Sequence, residues 1–157
     1  MSTAVAQQRG SVVVAWLRLL RLPNHATAVA DVLAGWLVIA RPESVAAPPA
    51  AFWAAAAASL LLYAAGMVLN DVFDRELDAV ERPERPLPRG LIAPATAAFV
   101  GWLTAAGGVA AGITAAVLSG HPAVAGVAAA LAAAVYLYDR HAKPTAAGPL
   151  VMRSCRS

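Results

Sequence analysis

A run of twenty residues without a charged side chain, Ala50–Leu69, constrains the fold of this chain more than any other feature. Ser59 is its only notably polar residue. An α-helix of about 20 apolar residues spans the hydrocarbon core of a bilayer. A helix of a soluble bundle needs a polar face at the helical period, and this run has none. The run therefore predicts a transmembrane helix and argues against a soluble helical bundle.

The overall composition also favours a bilayer as the solvent of this chain. Of its 157 residues, 60% are hydrophobic and only 13% are charged, whereas about 25% of the residues of a typical soluble domain are charged. Three more apolar runs accompany the first. The sequence therefore predicts an all-α, polytopic membrane helical bundle, with spans at about 23–40, 50–69, 95–118 and 122–138.

The basic residues lie between these runs and predict the orientation of the chain. Three precede the first span, Arg41 stands alone in the next loop, four lie within residues 71–90 and four follow Tyr138. If the spans alternate, 11 of the 12 basic residues share one side, so the positive-inside rule predicts a cytoplasmic N-terminus and a cytoplasmic 71–90 loop. The basic residues form no continuous patch with interleaved aromatic residues, so we expect the partner to be the lipid bilayer and no nucleic acid.

Three aspartates follow the second apolar run at helical spacing. On one helix, Asp74 and Asp78 would lie about 60° and about 20° from Asp71, so the three carboxylates would share a face. Because like charges on one face repel, this pattern favours a bound cation. Mg²⁺ prefers oxygen ligands and commonly binds through carboxylates together with substrate phosphates. A solvated loop of mixed charge that closes a membrane helix remains the alternative on spacing alone.

The segment around these aspartates resembles a known family. Residues 70–78, Asn-Asp-Val-Phe-Asp-Arg-Glu-Leu-Asp, resemble the first aspartate-rich motif of the UbiA family of intramembrane prenyltransferases, including its position after the second helix. Residues 82–90, Arg-Pro-Glu-Arg-Pro-Leu-Pro-Arg-Gly, are similar to the family's Arg-Pro-Leu-Pro-small-Gly loop, and residues 21–24, Arg-Leu-Pro-Asn, resemble the start of its first helix. The Asp-Gly-x-x-Ala-Arg pattern of CDP-alcohol phosphotransferases is absent from the sequence.

The resemblance implies a helical bundle of about nine helices that binds an isoprenyl diphosphate through Mg²⁺ and ionises it, so that an acceptor captures the allylic cation. Residues 1–157 would form the N-terminal portion of this single transmembrane domain. The partners would be the isoprenyl diphosphate donor and an unidentified prenyl acceptor in the membrane. By motif match, the catalytic and metal-binding residues would be Asp71, Asp74 and Asp78, and the substrate-binding residues Asn70, Arg82, Arg85 and, from the family's Tyr/Lys region, Lys143.

The sequence departs from the family in its second half. Asp139 is the only aspartate after Asp78, so the family's second aspartate-rich motif has no counterpart here. We therefore expect a truncated chain that carries half of a two-sided metal site. Two functions stay open, namely Mg²⁺-dependent prenyl transfer and a non-catalytic membrane fragment or assembly subunit. Asp31, inside the first predicted span, is expected to face the bundle interior or a water-filled cavity, either as a structural residue or with a role near the acceptor.

Overall fold

The computed structural model describes residues 12–40 and 48–138, and this part of the chain consists of helices and turns. The prediction of an all-α membrane helical bundle is confirmed. Helix α1 covers residues 12–20 and is followed by a short 3₁₀ turn at Leu22–Asn24. The remaining helices are α2 at His25–Ile39, α3 at Ala50–Phe73, α4 at Arg75–Glu81, α5 at Pro94–Ser119 and α6 at Ala123–Leu137.

Three helical stretches within the described residues are long and apolar enough to cross a membrane, namely Val12–Ile39, Ala50–Phe73 and Pro94–Ser119. They cover the first three predicted spans, except that the first stretch ends at Ile39 and the predicted span at residue 40. The first stretch begins earlier than predicted, because α1 leads into α2 through the 3₁₀ turn. The fourth predicted span coincides with α6, whose 15 residues reach about 22 Å, less than the ~30 Å hydrocarbon thickness. A fourth crossing therefore stays a prediction.

Small residues let the long helices pack closely. A Cβ added at Gly108 of α5 would stand 2.7 Å from Cγ of Leu62 on α3, closer than a side chain tolerates. At Gly112 an added Cβ would collide with Cβ of Ala128 on α6. Without dehydration of apolar surface to drive helices together in lipid, such close contacts supply much of the attraction between them. These glycines therefore fix the α3–α5–α6 core of the bundle.

Helix α2 joins the bundle through fewer contacts. Ser59 Oγ of α3 donates a hydrogen bond of 3.2 Å to the carbonyl oxygen of Ala28, which is the buried residue of α2. Asp31 is exposed in the described part of the chain, so it does not lie in the interior of these helices, and a water-filled cavity stays a prediction. Since α2 meets α3 through its Ala28 side, the described helices do not cover the carboxylate of Asp31.

One end of the bundle is closed by α1 and by the loop between α4 and α5. Its buried apolar cluster consists of Ala15, Leu19, Val68, Leu87, Ile92 and Ala97. Leu19 of α1 is fully buried, and Leu87 of the loop is 4% exposed. Both therefore pack beside Val68, near the C-terminal end of α3. This packing brings the basic residues that follow α1 and those of the loop to the predicted acidic motif.

Candidate functional site

Asp71, in the last turn of α3, lies at the centre of a network of charged side chains. It is 5% exposed, and burial of an unpaired carboxylate would cost several kcal/mol. Two guanidinium groups pair with it. Arg21 Nη2 donates to Asp71 Oδ1 at 3.0 Å and Arg85 Nη1 donates to the same oxygen at 3.2 Å. The network therefore joins α3 to the end of α1 and to the α4–α5 loop.

Arg85 extends this network to α4. Its Nη1 also donates to Asp78 Oδ2 at 2.5 Å, and Asp78 is 5% exposed like Asp71. The loop holds Arg85 in place through its own turn, in which the backbone N–H of Arg85 donates to the carbonyl oxygen of Arg82 at 3.0 Å. A single guanidinium nitrogen thus donates hydrogen bonds to two buried carboxylates.

Asp74 differs from its two neighbours because the helix ends there. Its backbone angles, φ −82° and ψ 2°, separate α3 from α4, whereas the predicted common face assumed one uninterrupted helix. Asp is a favoured residue at helix N-termini, and Glu76 and Asp78 in the first turn of α4 favour a new start there. Asp74 is half-buried and accepts a hydrogen bond of 3.2 Å from Asn70 Nδ2.

A cavity of about 410 Å³ opens beside this network. Five of the predicted site residues line it: Asn70, Asp74, Asp78, Arg82 and Arg85. Arg21, Leu77, Glu81 and Tyr138 complete the lining. Asp71 does not line the cavity but lies behind Arg21 and Arg85. Lys143, the remaining predicted site residue, lies outside the described residues.

Arg21 also belongs to this site, although its position before the first span favoured a role in topology over contact with a substrate. Its side chain lines the cavity and binds Asp71, which is 50 residues away. It adopts φ 49° and ψ 49°, and it is the only residue other than glycine with a positive φ among residues 12–40 and 48–138. Such a conformation costs about 1–3 kcal/mol and is kept where surrounding structure requires it. The signal in the sequence was the Arg-Leu-Pro-Asn segment itself.

The carboxylates of the cavity decide whether the predicted Mg²⁺ could bind there. Within residues 12–40 and 48–138, no three acidic, histidine or cysteine side chains converge into a group that could hold a metal ion. The three predicted carboxylates do not form one, since Asp71 pairs with Arg21 and Arg85 and does not line the cavity. Mg²⁺ needs only one or two carboxylates when substrate phosphates and water supply its other ligands. Asp74 and Asp78 provide two carboxylates, so the chemistry of the lining fits that mode.

Comparison with known proteins identifies the family of this chain. The digeranylgeranylglyceryl phosphate synthase of Methanopyrus kandleri is 37% identical over 83 residues, which are 53% of this chain and 29% of that protein. The protein of that name from Methanospirillum hungatei is 36% identical over 80 residues, 51% of this chain and 27% of its own length. The matched segments thus span less than a third of these relatives. No solved structure shows a significant match.

The family profile gives the broadest match. The sequence model of the UbiA prenyltransferase family matches residues 28–153, which are well over half of the chain and include the aspartate-rich segment and the loop after it. The resemblance found in residues 70–90 is therefore confirmed at the level of the family. This chain belongs to the UbiA prenyltransferase family.

Proposed function

We propose that this chain binds the diphosphate of an isoprenyl diphosphate together with Mg²⁺ and thereby supports transfer of the prenyl group to an acceptor within the membrane. The observation that carries the proposal is one cavity, at the end of membrane-spanning helices, that combines carboxylates with guanidinium groups. Membership of the UbiA prenyltransferase family supports the same reaction class.

The charges of the cavity favour a metal diphosphate over either ion alone. Three arginines and three acidic residues line it: Arg21, Arg82, Arg85, Asp74, Asp78 and Glu81. A free diphosphate would meet repulsion from the carboxylates, and a free cation would meet repulsion from the guanidinium groups. A diphosphate with its cation satisfies both sets, because the carboxylates contact the cation and the arginines donate to phosphate oxygens.

The position of the cavity suits an amphiphilic donor. The apolar side chain of Leu77 belongs to its lining, and Phe73, the residue before Asp74, is 37% exposed at the end of α3. A prenyl chain that extends past these side chains would stay in the hydrocarbon region while its diphosphate occupies the charged cavity. The arginines would hold the diphosphate end in a fixed orientation, which places the first carbon of the prenyl group at the rim.

The reaction requires the bond between that carbon and the diphosphate oxygen to break, with the electron pair leaving on the oxygen. Bound Mg²⁺ would neutralise the negative charge that develops on the departing diphosphate. Arg82 and Arg85 would donate hydrogen bonds to the same group and stabilise it further. The acceptor nucleophile then bonds to the allylic carbon and loses its proton. The names of the matched relatives favour a prenylated glyceryl phosphate as acceptor and a geranylgeranyl group as the transferred unit.

The test is Mg²⁺-dependent release of pyrophosphate from geranylgeranyl diphosphate by the reconstituted chain. We expect EDTA to abolish release and Asp74→Asn to reduce it by about 100-fold, the order found when one stabilising group is removed from a developing anion. Glu76→Gln is the matched control, because the Glu76 side chain is 90% exposed and pairs with Arg75 outside the cavity. Equal release by Asp74→Asn and the parent would overturn the proposal. Magnesium-dependent binding without release would support the alternative of a non-catalytic membrane protein.

A further inference from the structure

We propose that Asp71 is a positioning residue that holds Arg21 and Arg85 as a pair of diphosphate-binding guanidinium groups, and that it does not itself bind the metal. This inference rests on the proposed function, because it assigns a separate task to one of the three aspartates of the motif. It also adds Arg21 to the residues that would contact the diphosphate. Three observations carry it: the position of Asp71 outside the cavity lining, the shared oxygen atom and the backbone of Arg21.

Asp71 lies outside the lining of the cavity, whereas Asp78, which is equally buried, belongs to it. The side chain of Asp71 is 6% exposed, whereas the side chains of Arg21 and Arg85 are 35% and 18% exposed and line the cavity. Asp74 and Asp78 also line it. A ligand in the cavity would therefore meet the two guanidinium groups before it met Asp71. The structure places the arginines between this carboxylate and any metal diphosphate.

The geometry around Asp71 Oδ1 explains how one carboxylate can orient two arginines. Arg21 Nη2 and Arg85 Nη1 both donate to this single oxygen, so the two cationic groups are held side by side. Each guanidinium carries five N–H donors, and these contacts occupy one nitrogen of each. The remaining donors can serve a second acceptor such as a phosphate oxygen. Without the negative charge between them, the two guanidinium groups would repel each other and separate.

Arg21 depends on Asp71 more than Arg85 does. Arg85 keeps a second carboxylate partner in Asp78, but the ion pair of Arg21 is made with Asp71. Arg21 also holds a left-handed backbone at the end of α1, which directs its side chain across to α3. Loss of the Asp71 charge should therefore release the Arg21 side chain and leave Arg85 attached to α4. The consequence for a ligand is a weaker hold on the diphosphate with little change at the carboxylates that face the cation.

The test separates affinity for pyrophosphate from affinity for Mg²⁺. Inorganic pyrophosphate is titrated into the reconstituted chain at fixed Mg²⁺ concentrations, for the parent, Asp71→Asn, Asp74→Asn and the control Glu76→Gln. We expect Asp71→Asn to weaken pyrophosphate binding at saturating Mg²⁺ by about tenfold, which is the effect of losing one charge-assisted hydrogen bond. The Mg²⁺ concentration that gives half-maximal pyrophosphate binding should stay unchanged. Asp74→Asn should raise that Mg²⁺ concentration by about tenfold or more.

A second variant keeps the test decisive should Asp71→Asn fail to fold. Arg21→Gln changes a side chain that is 35% exposed, and we expect it to weaken pyrophosphate binding about as much as Asp71→Asn does. The double variant Arg21→Gln/Asp71→Asn should bind pyrophosphate no more weakly than the weaker-binding single variant, because both substitutions remove the same Arg21–Asp71 interaction. Asp71→Glu, which keeps the negative charge, should recover part of the affinity.

Two outcomes overturn the inference and leave the proposed function intact. In the first, Asp71→Asn raises the Mg²⁺ requirement as Asp74→Asn does, which would make Asp71 a metal ligand. In the second, Arg21→Gln binds pyrophosphate as tightly as the parent. The proposed function itself fails in a different way, when the parent shows no Mg²⁺-dependent binding or when Asp74→Asn behaves as the parent does.

Discussion

Arg85 Nη1 donates a hydrogen bond to Asp78 Oδ2 at 2.5 Å, and this contact joins the α4–α5 loop to α4. The same nitrogen reaches Asp71 on α3 at 3.2 Å, so one side chain connects three segments of the chain. Both carboxylates are buried, and each would lose a counterion if Arg85 were removed. The network is therefore expected to stabilise the fold as well as to form the candidate site.

Replacement of Arg85 measures this structural contribution. We expect Arg85→Gln to lower the free energy of unfolding by about 3 kcal/mol, the lower end of the range for breaking a buried ion pair, because water in the cavity screens part of the loss. Thermal or SDS unfolding in detergent measures it. Arg75→Gln is the control, since Arg75 is 47% exposed and such pairs contribute about 0–1 kcal/mol. Equal stability of the two variants would show that the buried network adds nothing.

The left-handed backbone of Arg21 predicts an order of stability among its variants. Arg21→Ala and Arg21→Gly both lose the ion pair with Asp71, but only glycine accepts φ 49° without steric cost. We expect Arg21→Gly to be more stable than Arg21→Ala by about 1 kcal/mol. Unfolding measurements on the two variants side by side test this. If alanine is as stable as glycine, the backbone at residue 21 is not left-handed.

The contact between α5 and α6 predicts a difference between two glycines. Gly112→Ala would drive a Cβ into that of Ala128, so we expect a loss of about 1–3 kcal/mol of stability. Gly126 of α6 has nothing within 4 Å of an added Cβ, so Gly126→Ala should be neutral or stabilise the helix by up to about 1 kcal/mol. The free energies of unfolding of Gly112→Ala and Gly126→Ala in detergent measure this difference. A tolerated Gly112→Ala would contradict the close packing of α5 on α6.

Orientation in the membrane is tested by cysteine labelling. The native thiol is removed first by Cys155→Ser, and Val80→Cys then introduces a thiol at a residue of α4 that is 82% exposed. We expect an impermeant maleimide to reach this thiol only from the cytoplasmic side, as the distribution of basic residues predicts. His121→Cys, at an exposed residue after the opposite end of α5, should label only from the other side. The reverse labelling pattern would show that the orientation in the membrane is the opposite of the predicted one.

Much of the fold could be predicted because the bilayer restricts what an apolar run can form. Residues 50–69 lacked charge, so a spanning helix was the expected solution, and α3 contains this run. Helix α3 continues beyond this run to Phe73, as the helical spacing of the aspartates predicted. This extension includes Asp71, whose charge would be unfavourable in a membrane helix if Arg21 and Arg85 did not lie beside it. Those two arginines come from distant parts of the chain, and the local pattern contains no information about their approach.

The candidate site was predictable in composition and less so in arrangement. The motif and the loop after it indicated Asn70, Asp74 and Arg85, and these residues do line one cavity. The helical wheel placed Asp71 beside Asp74, and Asn70 Nδ2 does donate to both carboxylates, at 3.4 Å and 3.2 Å. The approach of Arg21 and Arg85 to Asp71, and its absence from the cavity lining, were not predicted. Tertiary packing sets this distinction, so the spacing of the aspartates alone could not give it.

Calorimetric titration of a prenyl thiolodiphosphate, a donor analogue that resists ionisation, into the reconstituted chain measures whether the cavity binds a metal diphosphate. We expect saturable binding with Mg²⁺ present, weaker by at least about tenfold after EDTA or in Asp74→Asn and unchanged in Glu76→Gln. Binding of equal strength with and without Mg²⁺, or no binding at all, would contradict a cavity built for a metal diphosphate.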